Sequence, residues 1–263
     1  MTTARWMAAA VGAALALSPA MAATKKATPA TPAAAKATLD PEARTALDRM
    51  SAYLRTLKTF EVVADGYSEE VLDSGQKVTI PGSLTYDVAK PDRLFAEISS
   101  DRTLRRYYFD GSKVTIDAPR HKLYTDAPLK GTIGTLLDVT YSKYGIELPL
   151  QDLFLWGDPN RPATLPASGF KVGPETIGDT KVDHYAFRQP GLDWQIWIAH
   201  GDKPLPLRIV MTNTADRAQP QYAAKLTWNT DASFAADRFS FSPGKDSGRI
   251  AIATVDGSAG ETK

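Results

Sequence analysis

Residues able to do chemistry are present but scattered. The chain carries three histidines, His121, His184 and His200, and no cysteine. No histidine stands at metal-ligand or triad spacing, and each falls among turn or strand residues, where a surface or sheet-edge imidazole is the ordinary reading. Triad members need not be close in sequence, so a hydrolase site assembled from distant residues stays open. Without Cys, thiol catalysis, disulfides and Cys-ligated metals are excluded. Carboxylates such as Glu69-Glu70 and Asp183 are plentiful, but paired-carboxylate catalysis depends on a separation that sequence does not carry. There is no Gly-x-Ser-x-Gly elbow, phosphate loop or dinucleotide fingerprint. The expectation is a non-catalytic protein with no cofactor and no metal.

Arg102, Arg105 and Arg106 form a small basic cluster beside Tyr107, Tyr108 and Phe109. It reads either as a solvated strand edge or as a contact for an anionic head group. Arg interleaved with aromatics also stacks on bases, but an export signal, described next, sets nucleic acid aside. Lys and Arg number 31 against 30 Asp and Glu, for a formal charge of +1. That balance supplies no broad field for a polyanion.

The elements that must position these residues begin with an address. Arg5, the apolar run Met7 to Leu17 and the small residues Ala20-Met21-Ala22 follow the order of a cleavable signal peptide. Eleven apolar residues are too few to cross a bilayer, which takes about 20. Residues 1–22 are therefore expected to be removed, placing the protein outside the cytoplasm. Residues 23–39, rich in Ala, Pro, Thr and Lys, read as a flexible tether. Their lysines are compatible with transient membrane contact, but a solvated linker is the plainer reading.

A single domain is expected over 40–245, with 246–263 as a C-terminal tail. Asp40-Pro41 is a helix start, and Ala43, Leu47, Met50, Leu54 and Leu57 recur on one face of a helix from Pro41 to Leu57. From Phe60 the period changes to two. Strands alternate through Thr125 with turns at Asp73-Ser74-Gly75 and Asp110-Gly111, and again from Phe170 to Trp228 with turns at Gly178-Asp179 and Gly201-Asp202. Between these runs, Ile133, Leu136, Leu137, Thr140 and Tyr144 share a helical face, Gly145 stops that helix, and Pro149 starts a second one carrying Leu150, Leu153 and Phe154. The fold class is mainly β: one antiparallel sheet of roughly ten strands with few helices to cover it.

The strands carry more apolar surface than a minimal core demands. Trp194, Ile196 and Ile198 share one face of a strand whose other face holds Gln195 and Trp197. Leu207, Ile209 and Met211 share a face of the next strand, and Tyr222, Ala224, Leu226 and Trp228 a face of the last. A curved sheet of this kind is either filled by helix side chains or holds an apolar guest. The residues expected to line such a cavity are Leu84, Tyr86, Ile98, Tyr107, Phe109, Trp194, Ile196, Trp197, Ile209, Met211, Leu226 and Trp228.

Four segments carry a family resemblance: Pro91-Asp92-Arg93, Tyr107-Tyr108-Phe109-Asp110-Gly111, Leu148-Pro149-Leu150-Gln151-Asp152-Leu153, and the run from Phe187 to Ile198. From about Asp40 to Phe241 the chain resembles a family of predicted periplasmic bacterial proteins that is similar to the LolA/LolB lipoprotein carriers and the RseB-type sensors. The resemblance implies a half-barrel with helices on the concave side around an acyl-binding cavity. The expected partner is a lipid or lipoprotein acyl chain, with a membrane-associated protein as the sensor-type alternative. A long Ala/Pro/Lys tether departs from the carriers, whose lipoprotein-handling residues have no one-to-one match here.

Overall fold

The computed structural model describes residues 38–156 and 165–255, within a unit that spans Lys36–Lys263. The expected signal peptide and nearly all of the tether lie outside the described residues. Helix α1 (Pro41–Thr56) is capped by the Asp40 carboxylate, which accepts from the Glu42 amide at 2.8 Å. Its buried residues, Ala43, Leu47, Met50 and Leu54, are those the spacing selects.

Six strands follow: β1 (Thr59–Val71), β2 (Lys77–Ala89), β3 (Arg93–Ser100), β4 (Leu104–Phe109), β5 (Lys113–Ala118) and β6 (Leu123–Pro128). Then come α2 (Ile133–Tyr144) and the single turn α3 (Asp152–Leu155). The chain continues through β7 (Ser168–Ile177), β8 (Thr180–Gln189), β9 (Leu192–Ala199), β10 (Pro206–Asn213), β11 (Gln221–Asn229) and β12 (Gly248–Arg249). Thr132 caps α2 through a capping box with Thr135, and Gly145 ends it at φ 65°, the left-handed conformation that glycine adopts without steric cost.

All twelve strands join one curved, unclosed sheet in the order β12-β6-β5-β4-β3-β2-β1-β11-β10-β9-β8-β7. Two meanders therefore meet where β1 pairs with β11, and the α2–α3 segment crosses from one edge of the sheet to the other. The junction is tight: a Cβ on Gly66 would fall 1.9 Å from the Ala223 carbonyl oxygen, so the strands come this close only because residue 66 has no side chain. Every pair is antiparallel except β12 with β6. The count exceeds the expected ten or so because the segment expected as a tail contributes β12, which pairs with Leu123 and Tyr124.

One face of the sheet is packed by α1, α2 and the 148–156 segment. Phe60, Val62, Tyr86, Val88, Leu94 and Phe109 are at most 2 % exposed there. The opposite face has its own cover from the chain after β11. The Phe241 ring lies 5.4 Å from Tyr108 and 5.0 Å from Tyr124, and Arg238 sits 3.7 Å over the Phe95 ring while binding the buried Asp87 carboxylate. Among the described residues no helix is long and apolar enough to cross a membrane.

Candidate functional site

Strand register brings eleven of the twelve expected residues onto the helix-covered face. Across β11, β1, β2, β3 and β4 run the ranks Trp228–Val62–Tyr86–Ala96–Tyr107 and Leu226–Ala64–Leu84–Ile98–Arg105. Ile196 stands beside Ile209, Trp194 beside Met211, and Phe109 beside Leu94. Trp197 is the exception and a correction. It lies on the opposite face, stacked on His184 at 3.9 Å and 11°, with its indole N–H donating to Glu175 at 2.9 Å. The reason is the period of two: residue 197 points away from 194, 196 and 198.

Helices fill most of the concave face. Phe154, from α3, meets Tyr86 edge-on at 4.7 Å and lies 6.4 Å from Phe60; Trp156 covers Trp194 at 5.8 Å. Beneath this segment is a pocket of about 80 Å³ lined by Leu150, Leu153, Trp156, Trp194, Ile209 and Met211. It is smaller than the roughly 150 Å³ cavity that admits benzene, so it does not receive an acyl chain without movement.

A second pocket, of about 350 Å³, opens toward the β1–β2 hairpin. Its origin is the side-chain pattern. Outside the Leu84–Ile98 rank, the same face presents Gly82 paired with Ser100, and beyond these Tyr222, Ser68 and Ile80 in register. Two bulky ranks flank a rank with almost no side chain, and the result is a groove across the strands. Pro149 forms part of its wall. The size lies at the low end for ligand pockets, which run from about 300 to 1,000 Å³.

The segment between the two pockets buries Leu148, Leu150, Leu153 and Phe154 against the sheet. Its hydrogen bond to a side chain of the sheet comes from the Tyr86 phenol, which donates to the Pro149 carbonyl at 2.6 Å. The expected helix from Pro149 is shortened to the α3 turn, because Leu150 occupies the left-handed region at φ 57°, uncommon for a residue with a side chain. In the sequence, Pro149, Gly82 and Ser100 read as punctuation and polar filler. A small inward-facing residue inside an apolar strand is the signal that points to the groove.

The phenols on this face of the sheet are desolvated. Burial pushes Tyr222 up to about 12 and raises Tyr86 well beyond the phenol range. Burial also raises Tyr107, against the opposing pull of the Arg105 charge. Among the described residues no group of three or more His, Asp or Glu side chains is placed to hold a metal.

A curved, open antiparallel sheet packed by helices on its concave side, with an apolar groove beside the packing, defines a half-barrel protein of the kind implied by the resemblance to LolA/LolB. The chain belongs to the predicted periplasmic protein family DUF2092, whose model matches residues 43–253. It is similar to solved structures of an uncharacterized conserved protein from Thermus thermophilus (11% identity, 80% of this chain, 99% of that one, TM-score 0.45). It is also similar to the lipoprotein LppX of Mycobacterium tuberculosis (12%, 74%, 98%, 0.41) and to a LolA superfamily protein of Nitrosomonas europaea (8%, 75%, 97%, 0.33). No curated protein matches.

Proposed function

We propose that this protein is a non-catalytic periplasmic carrier or binding protein for a lipid or lipoprotein acyl chain. The observation that carries the reading is the groove of about 350 Å³ on an otherwise apolar face. Beside it stands a one-turn plug that the Tyr86 phenol ties to the sheet. Ten methylenes buried there would contribute roughly 8 kcal/mol before the cost of association. Displacement of the 148–156 segment would join the groove to the smaller pocket, since Met211 of the one is in register with Tyr222 of the other.

The test is mass spectrometry of organic extracts of the purified protein, together with titration of a fluorescent fatty acid. Co-purified lipid and saturable binding, both reduced in Ile98→Trp with the fold retained by circular dichroism, are expected. Protein free of lipid that also leaves the probe unbound would remove the proposal. A protein-interaction module is the second reading, supported by the exposed Phe170 (57%) and Val172 (51%) on edge strand β7. Crosslinking that recovers a single membrane protein through these residues, with no lipid required, would favour it.

A further inference from the structure

The three arginines of the basic cluster have different fates. Arg106 pairs with Glu97 at 2.7 Å and Arg102 with Glu70 at 2.8 Å. Both charges are neutralised by neighbours, as on an ordinary strand edge. Arg102 and Glu70 line the groove as a neutral pair, Arg106 points to the opposite face with Glu97, and Arg105 is turned to the concave face. It stands on the concave face at the end of the Leu84–Ile98 rank, directly across from Ile98, a wall of the groove. It is half-buried, and among the described residues no carboxylate pairs with it.

A half-buried guanidinium without a counter-charge is costly on an apolar face. Its fork matches carboxylate or phosphate oxygens in bidentate fashion. The Tyr107 phenol is near enough to feel its charge, and it is a second donor on the same face. On β4, beside the groove and one strand beyond its Ile98 wall, Arg105 and Tyr107 therefore set a cationic, hydrogen-bonding site next to the apolar trough.

We infer that Arg105 selects an anionic amphiphile, taking its acidic head group while the chain lies along Leu84, Ile98 and Tyr222 beneath Pro149. This rests on the acyl-binding reading and narrows it: the guest carries a carboxylate or phosphate, and an uncharged lipid of equal chain length is disfavoured.

The experiment is a displacement series on the purified protein with hexadecanoate, hexadecyl phosphate and hexadecanol, in wild type, Arg105→Gln and Arg105→Lys. In wild type the anions are expected to bind about ten- to a hundredfold more tightly than the alcohol, the scale of hydrogen bonds to a charged group. Arg105→Gln should collapse that preference and leave hexadecanol unchanged, while Arg105→Lys keeps part of it. The ratio of hexadecanoate to hexadecyl phosphate distinguishes the two acids, and either one preferred over the alcohol supports the assignment. Equal binding of acid and alcohol in wild type, or an unaltered preference in Arg105→Gln, overturns it and leaves the carrier reading standing. Failure of all three ligands to bind overturns both.

Discussion

Two stretches of the same apolar face have opposite environments. Around Phe60 and Tyr86 the face is sealed by α1, α2 and Phe154; a few residues further along the same strands, around Ile98 and Gly82, it borders a groove. The strands are continuous and their alternation does not change. What changes is the cover and the size of one rank of side chains, Gly82–Ser100. Apolar alternation thus reports which face is inward, and the cover decides whether that face is core or site.

The contrast makes its largest prediction in stability. Phe60 is 2% exposed and stacks between Phe154 and Trp228, at 6.4 and 5.7 Å. Phe60→Ala should cost about 3–5 kcal/mol in urea denaturation, the range for deleting a packed aromatic. Ile98→Ala, on the same face but beside the groove, should cost about 1 kcal/mol, since part of its side chain is already exposed. Equal costs would mean that the two stretches are one core and that the groove is no more than surface relief.

These differences explain what is legible in the sequence. Helix α1 is readable to within a residue because Asp40, Pro41 and the buried spacing all agree. The inward ranks are readable because alternation is strict at Leu84, Tyr86, Ile196 and Ile209. Trp197 falls outside the expected lining because parity, and not the size of the side chain, decides which face a strand residue joins. The groove is legible only through Gly82, a small inward-facing residue on an apolar strand; its outer wall is not legible. It depends on β1 pairing with β11, so that Tyr222 lies opposite Ser68, residues more than 150 positions apart; no local pattern carries that register. The plug has the sequence of a helix, because Leu150 and Leu153 have helical spacing, whereas the left-handed Leu150 permits only one turn.

A smaller effect is expected where the two stretches meet. Tyr86→Phe removes the phenol that donates to Pro149 and leaves the ring packing intact. Loss of one neutral hydrogen bond costs about 1 kcal/mol, here mostly local, because the Pro149 carbonyl can turn to water. Amide exchange over 148–156 should accelerate while the sheet is unchanged. Affinity for a fluorescent fatty acid should rise a few-fold, roughly in proportion to the shift toward the displaced plug. Unchanged exchange in this segment would show that the phenol does not hold it.

The smallest effect concerns how the filled stretch keeps its helix, for which the groove has no counterpart. Beside α1, Lys171 lies 2.7 Å from Glu42 and 3.2 Å from Asp183, and His200 lies 3.1 Å from the other Asp183 oxygen. Burial pushes the Asp183 carboxyl up, but hydrogen bonds from His200 and Lys171 outweigh it and hold it below its ordinary value. A carboxylate lowered in the folded state adds stability above its unfolded pKa, about 3.9, and loses it as pH falls through the folded value. The network is partly solvated, so its contribution is under about 1 kcal/mol. Wild type should therefore melt at most about 2–4 °C above Asp183→Asn at pH 7, and the gap should close as pH falls from about 3.9 through the lowered folded value and Asp183 takes up its proton. A gap that persists there would place the effect of Asp183 in packing, not charge, and α1 would then be held by its apolar face alone.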